Sequence, residues 1–235
     1  MKIANAPKRI INDGLKDVIV KISYRPEFSK TALEHKIESG LSSIGYKYVK
    51  YSISNGKANT EGQKKQFIAV NEYKIIIEEE YLLFNIVDRY PGWANYFKFI
   101  IGILDFIPQS AYTGASDNYI SSFNNLRIFD YLDNGMNLHA INDMIGSELK
   151  YSFAREYSEQ IPAFVDVLLL NNKLVPRLQK EPISSINITV LCPAQDDWNR
   201  ELLLDILSFV HKTEWEVFIE TFNKSFFDER EAIYD

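Results

Sequence analysis

The sequence predicts an α+β fold: mainly antiparallel sheet, helices packed on one face, and two candidate halves related to each other. Short runs rich in β-branched and aromatic residues follow one another in hairpin-like succession rather than alternating singly with helices. Three segments instead repeat apolar residues at helical spacing, and turn-forming residues separate the two kinds of run. The element order is strand, helix, strands, helix, then strands and a last helix.

Residues 1–14 read as a loose leader. Leu15–Tyr24, LKDVIVKISY, alternates in part and is β-branched, a strand that Pro26 stops. The stripe Phe28, Ala32, Leu33, Ile37, Leu41 and Ile44 predicts a helix, with Gly45 as its end residue. Tyr46, Tyr48, Tyr51 and Ile53 fall in a second strand, and the polar SNGKANTEGQKK that follows is an exposed loop. Gln66–Val70, Tyr73–Ile77 and Tyr81–Val87 are three short strands. Glu78, Glu79 and Glu80 are a solvated hairpin turn, since consecutive strand carboxylates point to opposite faces and cannot converge on a metal.

The stretch DRYPGWANYFKFI, from Asp88 to Ile100, sets a backbone break beside large rings. Pro91 disfavours helical geometry at Tyr90 and ends the strand, and Gly92 lets the chain change direction. Trp93, Phe97, Ile100, Ile101 and Leu104 then line one helical face. Tyr96, Phe99, Ile103 and Phe106 widen that face until only Asn95, Lys98 and Asp105 are plainly polar. A helix apolar almost all round is either sunk in a core, as a corner pinned by Trp93, or laid against a partner protein.

Pro108 closes that helix. Tyr112–Phe123 is a strand, and the segment beyond it is a long connection with turn chemistry at Asp133, Asn134 and Gly135. Glu148–Glu159 and Ala163–Leu170 make a hairpin, and Ile183–Leu191 one more strand. Asp196 and Asp197 are expected to cap a helix whose apolar face runs Trp198, Leu202, Ile206, Phe209 and Val210. Val217, Phe218 and Phe222 continue it, as one helix or as two broken near Thr213. Residues 1–235 are read as one domain, with 15–107 and 112–235 as its candidate halves.

With 46% apolar residues, the 235-residue chain can bury a sizeable core without disulfides or structural metals. The net charge of −6 argues against broad phosphate binding, which needs Lys and Arg to release counterions. Cys192 is the single cysteine, so it forms no disulfide within the chain and no CxxC pair. The opening residues lack the apolar core of a secretory signal, and no run reaches the ~18–20 apolar residues of a membrane span. A cytoplasmic protein without membrane attachment is expected.

Catalytic chemistry has few candidates. His35, between Glu34 and Lys36, belongs to a solvated helix face, and His211 beside Lys212 to a helix surface or packing position. His139, in the long connection, is the best single base, yet no partner is assigned to it. Asp133 with Glu148 and Lys150 imitates the carboxylate and Glu-x-Lys layout of some metal-dependent nucleases, a permissive pattern. There is no phosphate-binding GxxxxGK[ST] loop and no GxGxxG after a strand. No cofactor, no metal site and no catalytic residue is therefore assigned.

Tyr90, Gly92 and Trp93, opening a helix that holds Phe97, form a Tyr-x-Gly-Trp element. Together with SDNYISSF and a closing helix carrying Leu204, Asp205, His211 and Phe218, it resembles a sporadically distributed prokaryotic family of unknown activity. The resemblance runs from about Val18 onward. The family's Leu-Arg-Tyr-Ile-Asn strand is matched only at Tyr119 and Ile120; Asn118 stands where it has Arg, and Ser121 where it has Asn. Its patchy distribution implies mobile conflict genes such as defence components, antitoxins and immunity proteins, and it brings no catalytic residues.

The expected function is a non-enzymatic protein-interaction component of a bacterial conflict or defence system. Its partner would be another protein, such as the product of a neighbouring gene, or the chain itself in a homo-oligomer. The interaction residues would be Trp93, Tyr96, Phe97, Phe99, Ile103 and Phe106. The alternative is an RNA or single-stranded nucleic-acid binder, or a metal-independent ribonuclease. It would stack bases on Tyr46, Tyr48 and Tyr51 beside Lys50, with His139 as base.

Overall fold

The computed structural model describes residues 7, 9–10, 15–25, 28–53, 65–86, 90–108, 112–124, 147–158, 161–172, 183–193, 199–221, 227–228 and 231–234. The strands are β1 (Arg9–Ile10), β2 (Leu15–Tyr24), β3 (Val49–Ile53), β4 (Lys65–Val70), β5 (Tyr73–Ile77), β6 (Tyr81–Ile86), β7 (Tyr112–Asn124), β8 (Ser147–Ser158), β9 (Ile161–Asn172), β10 (Ile183–Cys192) and β11 (Ala232–Ile233). The helices are α1 (Lys30–Ser43), α2 (Trp93–Leu104) and α3 (Arg200–Thr221). The fold is α+β with antiparallel pairing. Among the described residues no helix is long and apolar enough to cross a membrane.

The chain forms two compact units. One takes residues 18–116 and 192–207; the other takes 1–17, 117–191 and 208–235. Helix α3 thus contributes 200–207 to the first and 208–221 to the second.

In the first unit five strands stand in the order β3-β4-β5-β6-β2. Directly paired residues share a face, so the register draws one row across it: Lys50, Ile68, Ile75, Phe84 and Val20. The last four are buried, as are Val70, Ile77, Leu82, Val18 and Ile22, which recur at every second position on the same face. Helix α1 buries Leu33, Ile37 and Leu41 at spacings of four, and Ser29 caps it by accepting from the Ala32 amide at 3.2 Å. Each such aliphatic side chain contributes about 1.5–3 kcal/mol by leaving water.

Gly92, at φ 87, redirects the chain after Pro91 and opens α2. The rings read from the sequence pack mostly onto one another and onto the sheet. Phe99 stacks on Tyr73 with centroids 4.0 Å apart and meets Phe84 edge-on at 6.4 Å; Trp93 stacks on Phe97 at 5.1 Å. Tyr90 and Trp93 both meet Tyr96 edge-on, at 6.1 and 6.3 Å. Offset and edge geometries of this kind suit the ring quadrupole and add to the area buried.

In the second unit β10, β9 and β8 form an antiparallel sheet, and β1 pairs with β11. Ala163, Val165, Val167, Ile188 and Val190 are buried on one face. Helix α3 covers that face from Ser208 on: Tyr157 meets Phe209 edge-on at 5.3 Å, and Arg155 reaches Glu216 at 2.8 Å and Glu220 at 3.0 Å. The helix continues through Thr213, which is buried. Its first turn is capped by Asn199, whose Oδ1 accepts from the Leu202 amide at 2.9 Å; Asp196 and Asp197, expected to cap this helix, lie outside the described residues. The expected hairpin turn at Glu78–Glu80 joins β5 to β6, with the Glu78 amide donating to the Tyr81 carbonyl at 2.9 Å.

Candidate functional site

Two strands, β3 and β8, lie at the outer ends of their sheets' pairing, and the β3 end carries the most exposed apolar side chains. Ile44 is 53% exposed, Tyr46 43% and Val49 54%, all within one turn of chain between α1 and β3. The local geometry follows from Gly45. The Tyr46 amide donates to the Leu41 carbonyl at 3.0 Å and the Gly45 amide to the Ser42 carbonyl at 3.2 Å, with Gly45 at φ 75. These are the paired bonds of a Schellman helix end, which needs a left-handed residue between the helix and the departing chain. Helix α1 therefore stops at Ser43, leaving Ile44 at the cap and Tyr46 just beyond it, both outside the packed stripe.

The neighbouring charges are already engaged. Lys50 Nζ lies 2.9 Å from Glu34 Oε1 and also pairs with Glu38, one turn further along α1. Hydrogen bonds that the Lys50 ammonium donates to Glu38 and then Glu34 raise its pKa above the ordinary value. Lys50 shares the face that is apolar on the other strands of its row, but at the β3 edge its side chain stays 46% exposed and meets the two α1 carboxylates there. Val49 sits on the opposite face, beside Ala69.

The structure separates the residues named for nucleic-acid stacking. Tyr46 and Tyr48 precede β3 rather than lying in it, because the Schellman turn consumes the residues up to Tyr46 before the chain becomes extended. Tyr46 is exposed and Tyr48 half-buried. Lys50 is paired as described, and the Tyr51 backbone is in β3 opposite Phe67. His139 and Asp133 lie outside the described residues. Of the residues named on the Trp93 helix, Tyr96 and Ile103 are buried, Trp93, Phe97 and Phe99 are half-buried in the ring cluster, and Phe106 is half-buried against Gly40 of α1.

A second exposed apolar pair sits on the other sheet. Phe164 and Leu191, 48% and 44% exposed, are direct cross-strand partners, with Ala154 next in the row. Around them Ser152 donates to Asp166.

Acid–base groups do not assemble an accessible centre among the described residues. His211 Nδ1 lies 3.5 Å from Glu214 Oε2, but Glu214 is buried, 1% exposed. The helical spacing could have found it, since Val210, Glu214, Val217 and Phe218 share one face. Cys192 is buried, and burial pushes its thiol up to about 11, which makes it a poor nucleophile. No three His, Cys, Asp or Glu side chains converge among the described residues. The α1–β3 corner can thus offer apolar contact and strand edge, a binding chemistry. Compared with known proteins, the chain matches no family model, no curated protein and no solved structure.

Proposed function

We propose that this chain is a non-enzymatic protein-interaction component that grips a partner protein through the corner between α1 and β3. The observation that carries the reading is the exposure of Ile44, Tyr46 and Val49 beside a strand that, among the described residues, has one neighbour in its sheet. Exposed apolar side chains next to unpaired strand backbone are a recognised mode of protein docking, in which main-chain bonds give affinity and side chains give selectivity. The Trp93 helix carries less of this role, since its rings are largely satisfied by Tyr73, Phe84 and each other. A bacterial conflict or defence setting, with the partner encoded nearby, is the narrower form of the proposal. Nucleic-acid binding draws less support, because Lys50 is held by two carboxylates.

The test is light scattering on the purified protein, alone and mixed with the products of adjacent genes. Ile44→Asp and Tyr46→Asp should abolish any complex while leaving the far-UV circular dichroism unchanged. A wild-type protein that is strictly monomeric and forms no complex would refute the reading.

A further inference from the structure

We infer that the partner at this corner is a second copy of the chain, joined through β3 in a two-fold antiparallel strand pairing. The inference rests on the proposed function and names its occupant. Among the described residues β3 pairs with β4 alone, so one side of its backbone ladder meets no other strand. Such an edge is normally blunted by charge, proline or a covering element. Here the charge on the strand, Lys50, is drawn onto α1 by Glu34 and Glu38 and does not guard the edge. Val49, which precedes it, is the most exposed large apolar residue of the described chain.

The sequence of β3, Val49-Lys50-Tyr51-Ser52-Ile53, is self-complementary when read antiparallel. A two-fold axis at Tyr51 sets Val49 opposite the partner's Ile53 and Lys50 opposite the partner's Ser52. Tyr51 then faces the partner's Tyr51. Every apolar position meets an apolar one, and no like charges meet. Aromatic and β-branched cross-strand pairs are the stabilising kind, whereas directly opposed like charges oppose pairing. A closed two-fold contact also removes the exposed β3 edge from both copies at once. Tyr46 and Ile44, just upstream of the strand, flank the contact.

The register makes the test specific. Directly opposed residues in an antiparallel pair have Cα atoms about 4.5–5.5 Å apart, inside the roughly 4.4–6.8 Å that a disulfide spans. Under mild oxidation Tyr51→Cys should give a covalent dimer, and Lys50→Cys should not, because it opposes the partner's Ser52. The buried Cys192 thiol does not compete. In sedimentation the wild type should reach twice the chain mass, and Val49→Lys, at an exposed position counted twice in the contact, should weaken the dimer by about tenfold or more.

A wild type monomeric at all concentrations overturns the inference. So does a dimer that Val49→Lys leaves untouched or that crosslinks equally through both cysteines. A monomer that still binds a different protein, released by Ile44→Asp, overturns the self-pairing and leaves the proposed function standing. A monomer without any complex overturns both.

Discussion

Gly40 of α1 lies directly under the ring of Phe106, so that a Cβ built on Gly40 would overlap the ring carbons. The contact lets α1 approach the segment that leaves α2. It explains a glycine in the middle of a helix, where alanine would otherwise be preferred by about 1 kcal/mol.

Gly40→Ala is accordingly expected to destabilise despite its better helix propensity. Overpacking typically costs about 1–3 kcal/mol, which should outweigh the propensity gain. Chemical denaturation of Gly40→Ala, Phe106→Ala and the double variant checks it: a positive coupling, with Phe106→Ala erasing the penalty, is the expected outcome.

Lys50→Met should destabilise the first unit, because it leaves Glu34 and Glu38 repelling one turn apart. Lys50 is half exposed, so solvent screening holds the cost to about 0.5–1 kcal/mol, and added salt should shrink it. The folded-state pKa is raised, so the stabilisation is complete below the ordinary lysine range near 10.5 and fades as pH climbs through the higher folded value. Urea midpoints at neutral pH and above the lysine range, wild type against Lys50→Met, should converge at the alkaline end.

Tyr24 donates its hydroxyl proton to the Glu78 carbonyl, and its pKa is pushed up to about 12, by burial first and then by Glu79, Glu78 and Glu80. An unfolded tyrosine ionises near 10.0, so the folded state keeps this proton between about 10 and 12. Stability from Tyr24 is therefore full below pH 10 and lost as pH rises through 12. Tyr24→Phe should cost about 0.5–1.5 kcal/mol at pH 7 through the missing hydrogen bond. It should also flatten the alkaline decline in melting temperature, and tyrosinate absorbance should lose its latest-titrating component.

Arg155 spans Glu216 and Glu220, holding β8 to the last two turns of α3. Arg155→Lys is expected to recover little of the loss in Arg155→Ala. A single ammonium cannot reproduce a planar fork bonded to two carboxylates. The pair is partly exposed, so the loss should be about 0.5–1.5 kcal/mol. Hydrogen exchange should localise it to α3 from Ser208 onward.

Much of this architecture is legible in the chain. The stripe Leu33, Ile37 and Leu41 marks α1, and the β-branched alternation through Ile75, Ile77, Leu82 and Phe84 marks β5 and β6 with Glu78–Glu80 as their turn. Pro91 and Gly92 locate the start of α2. These features depend on backbone preference and on apolar residues at a fixed period, both of which are local. The candidate site is less legible. Tyr46 and Tyr48 share a strand-like pattern with Tyr51, but the hydrogen bonds that close α1 at Gly45 take the chain first. Asn199, which the apolar period does not single out, caps α3 by reaching the Leu202 amide.

By itself the sequence determined the α+β class, most helix and strand spans, and which faces would be apolar, because covalent period and burial preference suffice for these. Only the tertiary structure decided that Lys50 would be neutralised by Glu34 and Glu38, that the Trp93 helix would spend its rings on Tyr73 and Phe84, and that Ile44, Tyr46 and Val49 would be left outside. The reason is physical. Exposure and pairing depend on which residues, distant along the chain, are brought within a few ångströms, and no local pattern contains that information.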